Sequence, residues 1–468
     1  MTPLPPKPAV RAERVSLLRY LRLFRQDILS AQPARLYRAW MADFRTPFFR
    51  SVLANQPELV RLVLKERPRD FPKSMRVAEG LRPLLGHSVF LTNGAVWERQ
   101  RRIIDPAFEG GRLRDTFPAM WQAAESAVAR LRDKTGGAVG AREVEIEEVT
   151  SHAAADVIFR TLFSIPIENE IATRVFTEFR DYQRSQPILN IAAFLPLPRW
   201  MPRFHRRRTR RSAAAIRGLI TALTAERMDR IAEGTAPDDL ATKIMTTADP
   251  QTGERFDTAE MVDQVAIFFL AGHETSASAL AWCLYLVAMF PEWQDKLAAE
   301  AEVLTQPDFA VMSRLRLSRD VFREALRLYP PVPMMVRETA CPERLRERDL
   351  PKGTQIVVSP WHLHRHTRLW DNPDGFDPAR WSTENGKTCL RDAFIPFSAG
   401  ARVCTGAGFA MVEGPLILSM LLREYRFELV PGKVPVPVAH LTVRAKDGIW
   451  LRVVPRAQEV QEPRAGGA

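Results

Sequence analysis

The stretch F-S-A-G-A-R-V-C-T-G, residues 397–406, sets Cys404 between Gly400 and Gly406, with Arg402 two positions before it. A cysteine in so constrained a loop can be half of a disulfide, a zinc ligand, a nucleophile or an iron ligand. The chain has 468 residues and four cysteines, Cys283, Cys341, Cys389 and Cys404, far apart and without a C-x-x-C pair. That rules against a disulfide framework and a zinc knuckle, and fits a reducing cytoplasm. A nucleophilic cysteine wants a histidine base, and none lies near it in the sequence.

The loop suits a metal-bound thiolate. Such a sulfur needs positive or dipolar surroundings and a backbone that approaches closely. Gly400 and Gly406 give the loop conformations closed to other residues. The loop runs into an apolar helix, "GFAMVEGPLILSMLLREYRF", so free amides at its N-terminus can face the sulfur. Phe397 can shield one side, and Arg402 can meet an anionic group beside the metal.

Outward from the loop, residues from about 114 to 330 follow helical periodicity, and prolines with short β-branched runs follow. The fold class is mainly α with a smaller β portion. A long helix is predicted from Asp257, with Glu260 completing a capping box, to Pro291. His273, Glu274 and Thr275 at its middle argue against a lipid-facing span and for a helix buried through a core. Buried polar groups there need partners or a job.

The cysteine stretch resembles the haem-binding signature F-x-x-G-x-R-x-C-x-G of the cytochrome P450 family, matched at Phe397, Gly400, Arg402, Cys404 and Gly406. Other motifs of that family occur in order, and the resemblance covers residues from about 50 to 450. It implies haem b (iron protoporphyrin IX) with Cys404 as axial thiolate, a long central helix over the haem, and the cysteine loop before the last long helix. "AGHET", 271–275, resembles the oxygen-activating stretch. There Gly272 lets the helix approach bound oxygen, Thr275, on one helix face with Ala271, hydrogen-bonds the peroxide, and Glu274 helps relay the protons that break the O–O bond. "EALR" and "FDPARW" resemble the family's structural triad, here Glu324, Arg327 and Arg380. "WERQR" places Trp97 and Arg101 at a haem propionate, and Arg337 sits where many relatives place another propionate-binding arginine. Phe268, Phe269, Val332, Met334, Met335 and Leu441 fall in regions that line the pocket in relatives.

The reaction so implied inserts one oxygen atom from O2 into a lipophilic small molecule, by hydroxylation or epoxidation. Electrons derived from NAD(P)H arrive through a ferredoxin or similar donor with its reductase. The net charge of +12 and Arg99, Arg101 and Arg102 suit docking of an acidic ferredoxin. The alternatives are an H2O2-dependent peroxygenase and a haem sensor or carrier without turnover.

Two runs that resemble sites carry none. "HLHRH" puts His362, His364 and His366 on one face if it is a strand, but imidazole clusters need further oriented ligands. The run "RFHRRRTRRS", 203–212, reads as a solvated basic helix, so no nucleic-acid partner is expected. Beside it, the apolar "LNIAAFLPLPRWM" falls near the lid of the substrate channel by resemblance and can touch membrane. Residues 16–31 read as a surface helix packing its leucines on the body, with peripheral membrane contact as the alternative. The organisation expected is an N-terminal tail over 1–35, a single domain over 36–455 and a loose tail over 456–468, in a cytoplasmic monomer.

Overall fold

The computed structural model describes residues 3–45, 49–136, 141–185 and 207–456. Its axis is the helix Thr258–Met289, 32 residues long, opened by the expected capping box between Asp257 and Glu260. The Asp257 carboxylate accepts from the Glu260 amide at 2.7 Å, and the Glu260 carboxylate accepts in return from the Asp257 amide at 3.2 Å. The reciprocal bonds satisfy amides that the first helical turn leaves unpaired. This central helix packs most extensively on Ile146–Phe163, and also on Arg207–Ala232, Arg316–Leu328 and Ala407–Glu424. Being enclosed on all sides explains its nearly continuous apolar composition. Among the described residues, no helix is long and apolar enough to cross a membrane.

The β portion stands to one side. A four-stranded sheet runs in the order Met41–Arg45, Arg50–Ala54, Gln355–Val358, Met335–Glu338, with one parallel pair between its second and third strands. Strands Arg142–Glu145, Trp450–Pro455 and Tyr425–Leu429 form a second sheet. A hairpin pairs Pro437–Ala439 with Val443–Ala445. Its tip and return strand face the middle of the central helix, where the anomalous polar residues lie.

Glu324, Arg327 and Arg380 come together as the motif implies. Arg327 donates to both Glu324 oxygens at 2.7 and 2.9 Å, and Arg380 Nε donates to Glu324 Oε1 at 3.2 Å. The remaining guanidinium donors reach carbonyls of His364, Pro373 and Gly375 from Arg327, and of Asp371, Asn372 and Gly375 from Arg380. Such complete satisfaction makes a buried charged cluster tolerable. It also ties the helix Arg316–Leu328 to residues 364–380, the segment leading into the cysteine loop.

The histidine run is not a strand. Pro360–Leu363 is a short helix with Ser359 as its N-cap, because Pro360 suits a first helical turn and donates nothing to a ladder. His364 Nε2 accepts from the Ile395 amide, His366 stacks on Trp40, and His362 meets Ser359. No metal-holding cluster of His, Cys, Asp and Glu occurs among the described residues.

The N-terminal helix is Leu17–Gln26, and none of its residues is buried. Leu18 is 82% exposed, so the leucines do not pack on the body as expected. Upstream, Lys7 pairs with Asp374 at 2.8 Å and the Tyr329 hydroxyl donates to the Pro6 carbonyl at 2.8 Å, which pins the first residues to the body. Residues 189–201, 203–206 and 457–468, on which the lid segment, the start of the basic run and the C-terminal tail fall, lie outside the described residues. Arg207 onward forms the exposed start of a helix.

Candidate active site

The cysteine loop leans on the segment Leu62–Glu66. Gly400 has φ +70°, and an added Cβ would sit 2.0 Å from the Leu64 carbonyl oxygen. No other residue fits there. Ser398, two positions earlier, holds φ +63° without being glycine, a strained conformation of the kind found where a loop must aim a group. Gly406 differs from expectation: its φ is −82°, open to any residue, and an added Cβ would make only an ordinary contact, 3.9 Å from Cys404 Sγ, so neither dihedral freedom nor close approach requires glycine there.

The Cys404 amide donates to the Phe397 carbonyl at 2.9 Å, and Arg101 Nη1 holds the Val403 carbonyl at 2.9 Å. The Cys404 side chain has accessible surface, but that surface faces an interior cavity rather than bulk water. Burial therefore pushes the thiol up, while the Gly406 amide and the charges of Arg101 and Lys73 favour the thiolate. A sulfur so placed needs a cation to stay ionised.

The cavity is about 1640 Å³. Cys404, Phe397, Gly406 and Arg402 line one part, and Trp97, Arg101 and Arg337 line its flank. Ala271, Gly272, Glu274 and Thr275 lie on its wall with Phe268, Val332, Met334, Met335 and Leu441. Phe269 does not reach it. Consecutive helical residues point about 100° apart, so Phe269 turns into the aromatic cluster of Phe159, Phe163 and Phe179 while Phe268 meets Phe108 at the cavity. Gly272 also packs against a neighbouring helix: an added Cβ would be 2.7 Å from Ile158 Cδ1.

Four cations converge on the flank. Arg402 donates to the Thr92 carbonyl and Asn93 Oδ1 and lies over Trp97, with 4.1 Å from guanidinium carbon to ring centre. Lys73 donates to the Phe90 carbonyl. Among the described residues no carboxylate pairs with Lys73, Arg337 or Arg402, whereas Arg101 has Asp105. Burial pushes Arg337 down to about 10. Burial and the neighbouring arginines take Arg402 to about 9 and lower Lys73 well below the usual lysine range. Buried like charges without counterions are unfavourable unless an anion joins them. The two propionates of a haem would supply that charge, and a cavity with Cys404 on one side and the Ala271–Thr275 wall on the other has room and apolar lining for it. The residues present fit the group. Lys73 carries no motif in "DFPKSMRV" and is legible only in three dimensions.

Glu274 is held rather than free. Its Oε1 accepts from Thr442 Oγ1 and lies 2.7 Å from Arg444 Nη2, both on the C-terminal hairpin. Thr275 Oγ1 donates to the Ala271 carbonyl at 2.6 Å. The next residue, Ser276, donates to Glu413, which burial raises to about 7. Arg99 and Arg102 do not form the free basic patch expected. Arg99 meets Glu260 at 2.7 Å and Arg102 meets the buried Asp249 at 2.6 Å.

A cysteine ligand loop, a cationic flank and a long helix crossing the cavity together define a haem-thiolate oxidoreductase. The chain belongs to the cytochrome P450 family, whose model, "Cytochrome P450", matches residues 44–451. It is 34% identical to cyclooctat-9-en-7-ol 5-monooxygenase of Streptomyces melanosporofaciens, over 82% of this chain and 81% of that one. Cytokinin hydroxylase of Arabidopsis thaliana is 28% identical over 86% and 78% of the respective chains. A crystal structure of a mutant cytochrome P450DA heme domain superposes with a TM-score of 0.81 at 25% identity, covering 97% of this chain and 98% of that one. The fold is that of the family, and the chain is an oxidoreductase of the monooxygenase type.

Proposed function

We propose that the protein inserts one atom of O2 into a C–H or C=C bond of a lipophilic substrate, using two electrons from a separate ferredoxin-type donor. The observation that carries this is the opposition, across one cavity, of Cys404 and the Ala271–Thr275 wall. Cys404 would ligate the haem iron, and Lys73, Trp97, Arg101, Arg337 and Arg402 would hold its propionates. When bound, the haem supplies the redox chemistry that activates O2, favoured by thiolate donation.

The chain's own residues handle substrate and protons. Phe268, Val332, Met334, Met335 and Leu441 exclude water and orient an apolar molecule. Cyclooctat-9-en-7-ol, the unsaturated alcohol in the Streptomyces relative's name, has the lipophilic character such a lining accepts. Thr275 holds a hydroxyl at the wall, and the Glu274 carboxylate beside it can pass protons toward the reacting site. A peroxide-driven enzyme has no use for that pair, which supports O2 over H2O2 as the oxidant.

The exposed Leu18 and Leu21, with Arg19, Arg22 and Arg25 on the same helix and no acidic residue within it, support peripheral contact of a cytoplasmic monomer with an anionic membrane surface. Tyr20 and Phe24 of that helix line the cavity, so substrate would enter from the lipid side.

The test is turnover under 18O2 with NADPH, an acidic ferredoxin, its reductase and a panel of lipophilic alcohols that includes cyclooctat-9-en-7-ol. One labelled oxygen in product supports the assignment. Label absent from product while unlabelled H2O2 supports turnover would favour the peroxygenase.

A further inference from the structure

Resting on the monooxygenase reading, we propose that Glu147 is a second proton-carrying carboxylate, which reloads Glu274 from the surface along the branch of the cavity walled by the C-terminal hairpin. Glu147 lies in the first turn of the helix Ile146–Phe163. Its Oε1 accepts from the Ala445 amide at 2.9 Å, adjacent to Arg444, whose guanidinium holds Glu274. Glu147, Glu274 and Arg444 all line the one cavity, and Lys446 and Asp447 carry that lining to the exposed surface. The charged groups facing Glu147 are Glu145 from its own segment, Arg444 from the hairpin and Glu274 from the central helix.

Proton stoichiometry gives the branch its purpose. Substrate oxygenation takes R–H, O2, two electrons and two protons to R–OH and water. Without substrate, O2 leaves as H2O2 after two electrons and two protons, or as two waters after four of each, so the outcomes take equal protons per electron and differ in whether protons delivered at the wall break the O–O bond before peroxide leaves. Each route draws protons through a cavity whose remaining lining is mostly apolar. Glu274, tied to Arg444 and Thr442, stays at the wall and must be reloaded. A carboxylic acid near neutrality serves that step, because efficient proton donors have affinities close to the working pH. Burial first, and the Glu145 and Glu274 charges next, outweigh the Ala445 amide and Arg444 and raise Glu147 to about 7. Glu147 acts through Glu274 and is a positioning residue for the proton, not a group that touches substrate.

The obvious bland role for Glu147 is to hold the hairpin through the Ala445 amide. Glu147→Gln keeps that acceptor and removes the proton, so the two roles separate. The first readout is the infrared carboxyl difference spectrum of the haem-loaded protein between pH 6 and 8 at rest. It should contain a titrating band near pH 7 that E147Q lacks. The second is H2O2 released per NADPH oxidised without organic substrate, driven by an acidic ferredoxin and its reductase. E147Q should raise this ratio about threefold, a fraction of what general acid–base groups contribute. Glu147→Asp should restore much of the wild-type ratio. In wild type the ratio should climb as pH rises through about 7 and the store empties, and in E147Q it should stay flat. H2O2-driven guaiacol oxidation, whose protons arrive with the peroxide, should not change.

An unchanged ratio in E147Q would overturn the inference, as would an equal loss of peroxide-driven activity, which would mark a structural role. Absence of a thiolate-type carbon monoxide band in the wild type would instead overturn the enzyme reading beneath it.

Discussion

Arg327 and Glu324 share two hydrogen bonds, of 2.7 and 2.9 Å, with both side chains 0% exposed. Because every other donor of Arg327 ends on a carbonyl, the pair can be broken but not rearranged. Glu324→Ala leaves two guanidinium groups buried without their counterion. The expected loss is about 3–5 kcal/mol of stability, seen as a lowered urea midpoint and a poor yield of haem-loaded protein. A variant as stable as wild type would show that water replaces the carboxylate at no cost.

The unpaired cations at the haem flank predict opposite effects on two states of one variant. Arg337 is buried, depressed by burial and, among the described residues, without a carboxylate partner. Arg337→Met should stabilise the haem-free protein by about 1 kcal/mol, since a desolvated charge is removed. The same variant should release haem faster to apomyoglobin. Destabilisation of both forms would mean that Arg337 has a partner in the empty site.

Gly272 has a local reason to be glycine besides any contact with oxygen. Gly272→Ala brings a methyl to 2.7 Å from Ile158 Cδ1, the end of a side chain that must turn aside, a rotamer shift of about 0.5–1.5 kcal/mol that offsets what alanine gains in helix propensity. Ile158→Val removes that atom, so the double variant should melt higher than the two single changes sum to. Strict additivity of the two changes would remove Ile158 as the cause.

Buried imidazoles set the acid limit. Burial lowers His273, His362 and His364 to about 3, and His152 and His366 to about 4. Below the unfolded value of 6.5 the unfolded chain takes up these protons and the folded chain does not, so stability falls with pH from about 6.5 downward. Glu147 and Glu413, raised to about 7, oppose this between 7 and 4.5 by binding protons in the folded state. Five histidines against two carboxyls leave a net loss. Urea midpoints should decline from pH 6.5 to 4.5, and a flat profile would place water beside the imidazoles.

What could be read from the sequence was what is local in it. The cysteine loop, the capping box at Asp257 and the Glu324–Arg327 pair all lie within ten residues, where spacing dictates geometry. Phe268 and Phe269 illustrate the limit: adjacent residues share a region but not a helix face. Arg99 and Arg102 lost their expected freedom to Glu260 and Asp249, on average some 150 positions away. Lys73 and the Arg444–Glu274 pair were invisible for the same reason, since only the folded sheet and hairpin bring them to the cavity. The leucines of Leu17–Gln26 have the periodicity of a packed helix, and that pattern does not say whether body or membrane receives them.

The central claim, that Cys404 ligates haem iron as a thiolate in this cavity, is tested by the carbon monoxide difference spectrum of the reduced protein. A strongly red-shifted Soret band, absent in Cys404→Ala, is the predicted result. A band at the position given by histidine-ligated haem, or one that survives in Cys404→Ala, would contradict the account.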